Sequence, residues 1–253
     1  MAPSDTSAVS LGGAATAEAR NPLLEVSQLC CGYGRKRVVF DVDLHVRECE
    51  IVALFGHNGA GKTTTIKTLL GMQAPQGGAV RYDGHVSTGW SSRRTVAAGM
   101  ALIPSERFVF RDLTVLDNLK LGAGNARKGA SQSANLARVY ELFPILKERT
   151  SQIAGSMSGG QQRMVSLGMA LMSSPRLLLL DEPSLGLAPA IVEQMFNALR
   201  ELADGGLGVL LLEQNVGQAL RIADRAYVMR SGRIILEESA EHMRARGSYW
   251  DLF

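Results

Sequence analysis

The run Gly56-His57-Asn58-Gly59-Ala60-Gly61-Lys62-Thr63 places three glycines ahead of an ammonium and a hydroxyl. The order fits G-x-x-x-x-G-K-[ST], whose chemistry is the wrapping of backbone N–H groups around phosphate oxygens. Glycines let the backbone turn sharply and approach the anion, and a helix that starts here adds partial positive charge. Lys62 has the reach for β- and γ-phosphates, and the Thr63 hydroxyl is suited to Mg²⁺. A second constellation is Leu177-Leu178-Leu179-Leu180 followed by Asp181-Glu182-Pro183, a buried strand presenting two carboxylates at its C-terminal end. In open parallel sheets that end is where ligands bind. A third is Ser158-Gly159-Gly160-Gln161, which opens the apolar-periodic stretch Met164 to Met172 and so makes another anion-friendly helix start. Tyr33, between Gly32 and Gly34, is either an edge-packing side chain or a platform for a flat base.

The elements that must position these groups follow from periodicity. Ile51 to Phe55 read as a buried strand and Thr64 to Leu70 as the helix after it, closed by Gly71. Leu23 to Val26 predict a first strand, Cys31 to Gly34 a turn, and Phe40, Val42, Leu44 and Val46 a half-buried strand of period two. Ala79 to Tyr82 predict a strand ending in a hairpin turn at Asp83-Gly84, and Ala98 to Ile103 another buried strand. From about 113 to 175 the spacing turns helical, including one run from Ala134 to Lys147, and predicts a helical subdomain inserted into the sheet domain. Further on come helices over Ile191 to Leu202 and Val216 to Ile222, strands over Gly208 to Leu212, Tyr227 to Met229 and Ile234 to Leu236, and a last helix within Ala240 to Phe253. Strands alternating with helices indicate an α/β fold with a mostly parallel sheet and crossovers.

Bulk properties narrow the classes. The 253 residues suit one α/β domain with subdomains, and 46% apolar and 20% charged residues are globular values. A net charge of +3 without a long basic run gives no case for nucleic acid. Three cysteines, two of them adjacent (Cys30-Cys31), imply no disulfide framework and fit a reducing cytosol. Four scattered histidines lack ligand spacing. No apolar run approaches the ~18 residues that span a bilayer. Residues 1–21, rich in Ala, Ser, Gly and Thr, predict a disordered tail, leaving 22–253 as the working domain. Trp250 and Phe253 are expected to dock on the core.

With these motifs in hand, the chain from about Leu23 to Leu236 resembles the ABC (ATP-binding cassette) ATPases. Residues 56–63 look like the family's Walker A loop and Leu177 to Asp181 like Walker B. Ser158 to Gln161 look like the signature motif, with Met157 where leucine is usual. The resemblance implies a P-loop NTPase with an antiparallel β subdomain and an inserted helical subdomain, and ATP and Mg²⁺ as cofactors. Tyr33 falls at the adenine-stacking position. Gly56, His57, Asn58, Gly59, Ala60, Gly61, Lys62, Thr63 and Thr64 would bind nucleotide, and Thr63 and Asp181, the latter through water, would hold the metal. Glu182 would be the catalytic carboxylate, with Lys62 and Gln214 assisting. Gln214 stands where the family usually has its switch histidine, and Ser105 where it has a glutamine. Ser105, or Glu106 beside it, is the further metal candidate.

Glu182 to Pro189 and Glu213-Gln214-Asn215 are similar to one branch, the ATPase subunits of importers for branched-chain amino acids and related amides or urea. That resemblance implies a second ABC ATPase, identical or a sister subunit, closing its Ser158 to Gln161 segment over this chain's ATP. It further implies integral-membrane permease subunits, contacted around Ser105 to Phe110 with Phe108 and Phe110 as groove candidates, and an external solute-binding protein. The location expected is the cytoplasmic face of the inner or plasma membrane, held through the permease. Two alternatives stay open: a low-turnover regulatory clamp, suggested by Ser105, Gln214 and by Leu187 where the family has its D-loop aspartate, and a cytosolic ABC protein outside transport.

Overall fold

A computed structural model describes residues 22–106, 109–125, 129–246 and 248–249. The first half builds two sheets together. Strands β1 (Leu24–Tyr33) and β2 (Lys36–Val46) form a hairpin, β3 (Ile51–Phe55) runs into α1 (Lys62–Leu69), and β4 (Pro75–Tyr82) turns through Asp83-Gly84 into β5 (His85–Val86). Helix α2 (Ser92–Ala97) leads to β6 (Met100–Ile103). A helical segment follows: α3 (Val115–Gly122), α4 (Gln132–Leu142), α5 (Pro144–Glu148) and α6 (Gly159–Leu171). The chain then returns through β7 (Leu177–Asp181), α7 (Pro189–Asp204), β8 (Gly208–Glu213), α8 (Val216–Ala219), β9 (Arg225–Arg230), β10 (Arg233–Ser239) and α9 (Ala240–Arg244).

The larger sheet has the order β10-β9-β3-β8-β7-β6, parallel except for β10 against β9. The smaller one, β2-β1-β4-β5, is antiparallel. Parallel strands covered on both faces read as continuous apolar runs, and the alternation reappears in what each residue touches. Ile51, Ala53, Phe55, Leu178, Leu180, Val209 and Leu211 pack with the helices α3 to α7. Val52, Leu54, Leu177, Leu179, Leu210 and Leu212 pack toward the antiparallel sheet and α1. The parallel sheet therefore divides two hydrophobic cores, and its C-terminal edge is braced from both sides.

Local structure departs from the sequence expectations at five places. Strand β1 runs through Cys31 and Gly32 to Tyr33, so the turn is only Gly34-Arg35. A Cβ on Gly32 would lie 2.1 Å from the Lys36 carbonyl oxygen, so this glycine serves close strand approach instead. In β2 the period slips at Asp41, whose φ of 50° is left-handed, and Val39 rather than Phe40 is fully buried. Residues 98 and 99 form the turn that follows α2, and β6 starts only at Met100. Pro144, which lacks an N–H and crowds the preceding turn, divides the Ala134 to Lys147 run into α4 and α5. Helix α8 ends at Ala219, three residues short of the expected span. The expected tail 1–21, Phe108, Trp250 and Phe253 lie outside the described residues.

A polar cluster joins the two sheets. The Tyr227 hydroxyl accepts from the His45 backbone N–H at 3.2 Å and from the Arg225 guanidinium at 2.5 Å, and it donates to Glu237 at 3.1 Å. Arg225 also holds Glu50 at 3.0 Å and the His45 carbonyl at 2.7 Å. The hydroxyl stands 3.2 Å from His45 Nδ1, while the buried Nε2 has no hydrogen-bond partner among the described residues. Burial, then Arg225 and Arg47, push the imidazole pKa down, against weaker opposition from Glu50 and Glu237. A folded-state pKa below the unfolded one means that the unfolded chain binds more protons. The stabilisation is complete above the ordinary histidine pKa and is lost as pH falls through the depressed value. Thermal denaturation between about pH 7.5 and about pH 5.5 should therefore cost the parent protein more Tm than His45→Gln. Equal losses would contradict the assignment.

Candidate functional site

The loop between β3 and α1 closes on itself around Lys62. Lys62 is 4% exposed, and its ammonium donates to the carbonyls of Gly56 at 2.6 Å and His57 at 3.3 Å. Two glycines are required sterically. Gly61 has a φ of 111°, closed to most side chains, and a Cβ on Gly56 would meet the Met229 carbonyl oxygen at 2.4 Å. The Ala60 carbonyl accepts from the Gly232 N–H at 2.8 Å, so the turn between β9 and β10 backs the loop. The loop is thus a rigid cradle seated on the sheet edge.

The acidic end of β7 faces it. The Thr63 hydroxyl lies 3.0 and 3.2 Å from the two Asp181 carboxylate oxygens. Glu182 leaves the strand in a left-handed conformation, φ 48°, while its N–H still donates to the Leu212 carbonyl at 2.9 Å. That departure brings one Glu182 carboxylate oxygen to 3.3 Å from the Lys62 ammonium and 2.7 Å from Gln214 Nε2. Gln214 Nε2 also donates to the Asn58 side chain at 2.8 Å. Five predicted residues from three loops, Lys62, Thr63, Asp181, Glu182 and Gln214, and a sixth, Asn58, therefore meet at one place.

Burial raises the Asp181 pKa, the Thr63 hydrogen bond and Lys62 oppose this, and Glu182 adds to it. The Asp181 carboxylate and the Thr63 hydroxyl are oxygen donors of the kind hard cations take. Among the described residues no group of three or more His, Cys, Asp and Glu side chains could hold a metal by itself. The donors fit Mg²⁺ in its usual protein habit, one or two oxygens from the chain and the rest from phosphate and water.

The other predicted residues sit apart from this cluster. Tyr33 ends β1 with half its surface exposed, and its hydroxyl is 3.5 Å from the Thr64 hydroxyl at the start of α1. Ser158 caps α6 in a reciprocal box: its hydroxyl accepts from the Gln161 N–H at 3.3 Å, and the Gln161 side chain accepts from the Ser158 N–H at 3.2 Å. Gly159 has open space beside it, whereas a Cβ on Gly160 would strike Ile191 of α7. Among the described residues neither Ser105 nor Glu106 bonds to Thr63 or Asp181. The Ser105 and Pro104 carbonyls instead accept from the Arg163 guanidinium at 3.0 and 2.7 Å.

Two participants escape a motif search. Arg163 and Glu213 are both almost fully buried, one within the apolar face of α6 and the other ending the run Leu210-Leu211-Leu212. The signal available was a charge interrupting an apolar pattern. A separate cleft of about 360 Å³ opens between β6, α3 and α6, lined by Val96, Leu102, Val109, Phe110, Leu121 and Met169. Phe110 is 55% exposed there.

Comparison with known proteins gives the geometry a lineage. The profile of the family described as ABC transporter matches residues 39–185. The chain is 45% identical over 217 residues to the high-affinity branched-chain amino acid transport ATP-binding protein BraG of Pseudomonas aeruginosa, covering 86% of this chain and 93% of that protein. It is 36% identical to the lipopolysaccharide export system ATP-binding protein LptB of Escherichia coli K12, over 84% of this chain and 88% of that protein. A crystal structure of a nucleotide-free ATP-binding cassette from an ABC transporter superposes with a TM-score of 0.82 at 25% identity, over 92% of this chain and 97% of the other.

The loop's fit against β9 is directly testable. Gly56→Ala should lower unfolding stability by about 1–3 kcal/mol, because the new methyl forces the backbone off the Met229 carbonyl. Urea denaturation that matches the parent would show that the seat is looser than described.

Proposed function

The chain belongs to the ABC transporter family, as one of its ATP-hydrolysing subunits, and on that premise we propose how its residues work and what it energises. One observation carries the reading: a buried lysine at the head of a phosphate loop, a hydroxyl on one carboxylate, and a second carboxylate held between that lysine and an amide. When ATP binds, Lys62 exchanges its loop carbonyls for β- and γ-phosphoryl oxygens, and the N–H groups of residues 57–64 take the remaining phosphate charge. Thr63 and Asp181 would hold Mg²⁺, which supplies charge neutralisation across the phosphates. Glu182, released from the ammonium, orients the attacking water and accepts its proton as the bond to the β–γ bridging oxygen breaks. Gln214 donates a hydrogen bond to the γ-phosphate and carries no proton of its own. Tyr33 offers its exposed face to adenine.

A head-to-tail pair of cassettes completes the site, each bringing Ser158, Gly159, Gly160 and Gln161 to the other's ATP. The position of these residues at the start of α6 and the unobstructed Gly159 support that role. The second cassette is a copy of this chain or a sister subunit. No helix among the described residues is long and apolar enough to cross a membrane. In this reading the chain sits at the cytoplasmic face, and integral-membrane permease subunits supply the pathway and seat a helix in the cleft beside Phe110 and Leu121. The cargo proposed is branched-chain amino acids or related small amides, including urea, delivered by an external binding protein. The likeness to BraG supports this branch over the export branch of LptB, since identity is higher over a similar span. Ser105 and Glu106 remain candidates for sensing the metal, through the loop that Arg163 anchors.

Glu182→Gln tests the mechanism. It keeps the shape and removes the proton acceptor. Phosphate release should fall about 100-fold or more, the scale of a lost general base, and an ATP-bound dimer should accumulate on size exclusion. Turnover close to that of the parent would remove Glu182 from its proposed part.

A further inference from the structure

The turn that carries Glu182 is pinned to the end of β8 by three consecutive residues. The Leu212 carbonyl accepts from the Glu182 N–H at 2.9 Å. The Glu213 carboxylate accepts from the Ser184 N–H at 2.9 Å. Gln214 Nε2 donates to the Glu182 carboxylate at 2.7 Å. Leu212 contributes a backbone carbonyl that any residue has, and Gln214 has a part already proposed, which leaves the Glu213 carboxylate to be explained. The position is 3% exposed and continues a row of leucines, so an apolar side chain would fill the space at lower cost. A carboxylate kept there has to repay its desolvation. Burial raises its pKa, while the Ser184 hydroxyl and N–H and the Gln214 N–H pull the other way.

Its surroundings show how. The left-handed backbone of Glu182 is unfavourable for a residue with a Cβ, so the turn must be held from outside to keep that shape. Hydrogen bonds to a charged acceptor are roughly twice as strong as neutral ones, which makes a carboxylate a firm clamp on the Ser184 amide. Arg163, buried in α6, feels the negative charge of Glu213 and Asp181 while it donates to the Pro104 and Ser105 carbonyls. The helix that begins at Gly159 is tied to the loop after β6 by those two hydrogen bonds.

We propose that Glu213 is a positioning residue for hydrolysis, clamping the Ser184 amide so that the Glu182 carboxylate is presented to the reacting water. It acts through Glu182 and so rests on the part proposed for that residue. Phosphate binding by residues 56–64 does not depend on it. A misplacement of a reacting group by about 1 Å costs on the order of 100-fold in rate, which sets the scale of the effect.

The test compares Glu213→Ala and Glu213→Gln in the full chain, reading Mg²⁺-ATP turnover alongside binding of a fluorescent ATP analogue. Glu213→Ala should lose about 10- to 100-fold in kcat with analogue affinity within about twofold of the parent. Glu213→Gln, whose amide oxygen still accepts from Ser184, should return to within about fivefold of the parent. If the alanine variant does not fold, Glu213→Asp, with its carboxylate withdrawn by one methylene, should show the same selective loss of kcat. Parent-like turnover in the folded clamp variants, equal losses of kcat and affinity, or no rescue by glutamine would overturn the proposal. Adding Glu213→Ala to Glu182→Gln should cost little more, because the clamp acts through the residue already disabled. A Glu182→Gln protein that still turns over, together with a slow Glu213→Ala, would instead place the failure in the reading of Glu182.

Discussion

A buried ammonium cannot stand alone, and the site is arranged around that fact. Lys62 sits inside its own loop, satisfied by two carbonyls and by the Glu182 carboxylate at 3.3 Å. An uncompensated charge at this depth would cost several kcal/mol, so the loop, the end of β7 and the amide of Gln214 are obliged to converge. On the proposed mechanism, the triphosphate would take the place of these carbonyls and of the carboxylate around the Lys62 ammonium, and Glu182 would then be free to face the reacting water.

The fold supplies the rigidity this demands. Four buried leucines in β7 and the apolar run of β8 hold Asp181, Glu182, Glu213 and Gln214 at one end of a sheet packed on both faces. The antiparallel sheet adds Tyr33 beside α1, and the turn at Gly232 seats the phosphate loop from below. On the far side, Arg163 links α6 to the loop after β6, so the start of that helix and the loop next to the apolar cleft are joined through a single guanidinium. Binding at one can bias the other by that route, provided the loop has two arrangements.

Most of the site could be read in the sequence because its parts are local. The phosphate loop is one continuous run between a strand and a helix, and the acidic pair ends an uninterrupted apolar strand. What escaped reading depends on tertiary geometry. The slip at Asp41 in β2 leaves no mark on hydrophobic alternation beyond a shift of one residue. Tyr33 belongs to a strand because Gly32 admits the facing backbone, a reason invisible in a Gly-Tyr-Gly string. The break between α4 and α5 is legible at Pro144, whose missing N–H interrupts a run that otherwise keeps helical spacing. Glu213 and Arg163 were visible as charges in apolar rows, but their partners lie in segments far away in the chain.

The central claim is that Lys62 is the hinge between the resting and the nucleotide-bound partners of this site. Replacing it with alanine and measuring Mg²⁺-ATP retention and turnover tests that claim most directly. The account predicts loss of both, with the protein still folded by thermal denaturation. A folded Lys62→Ala protein that binds and hydrolyses ATP like the parent would contradict it.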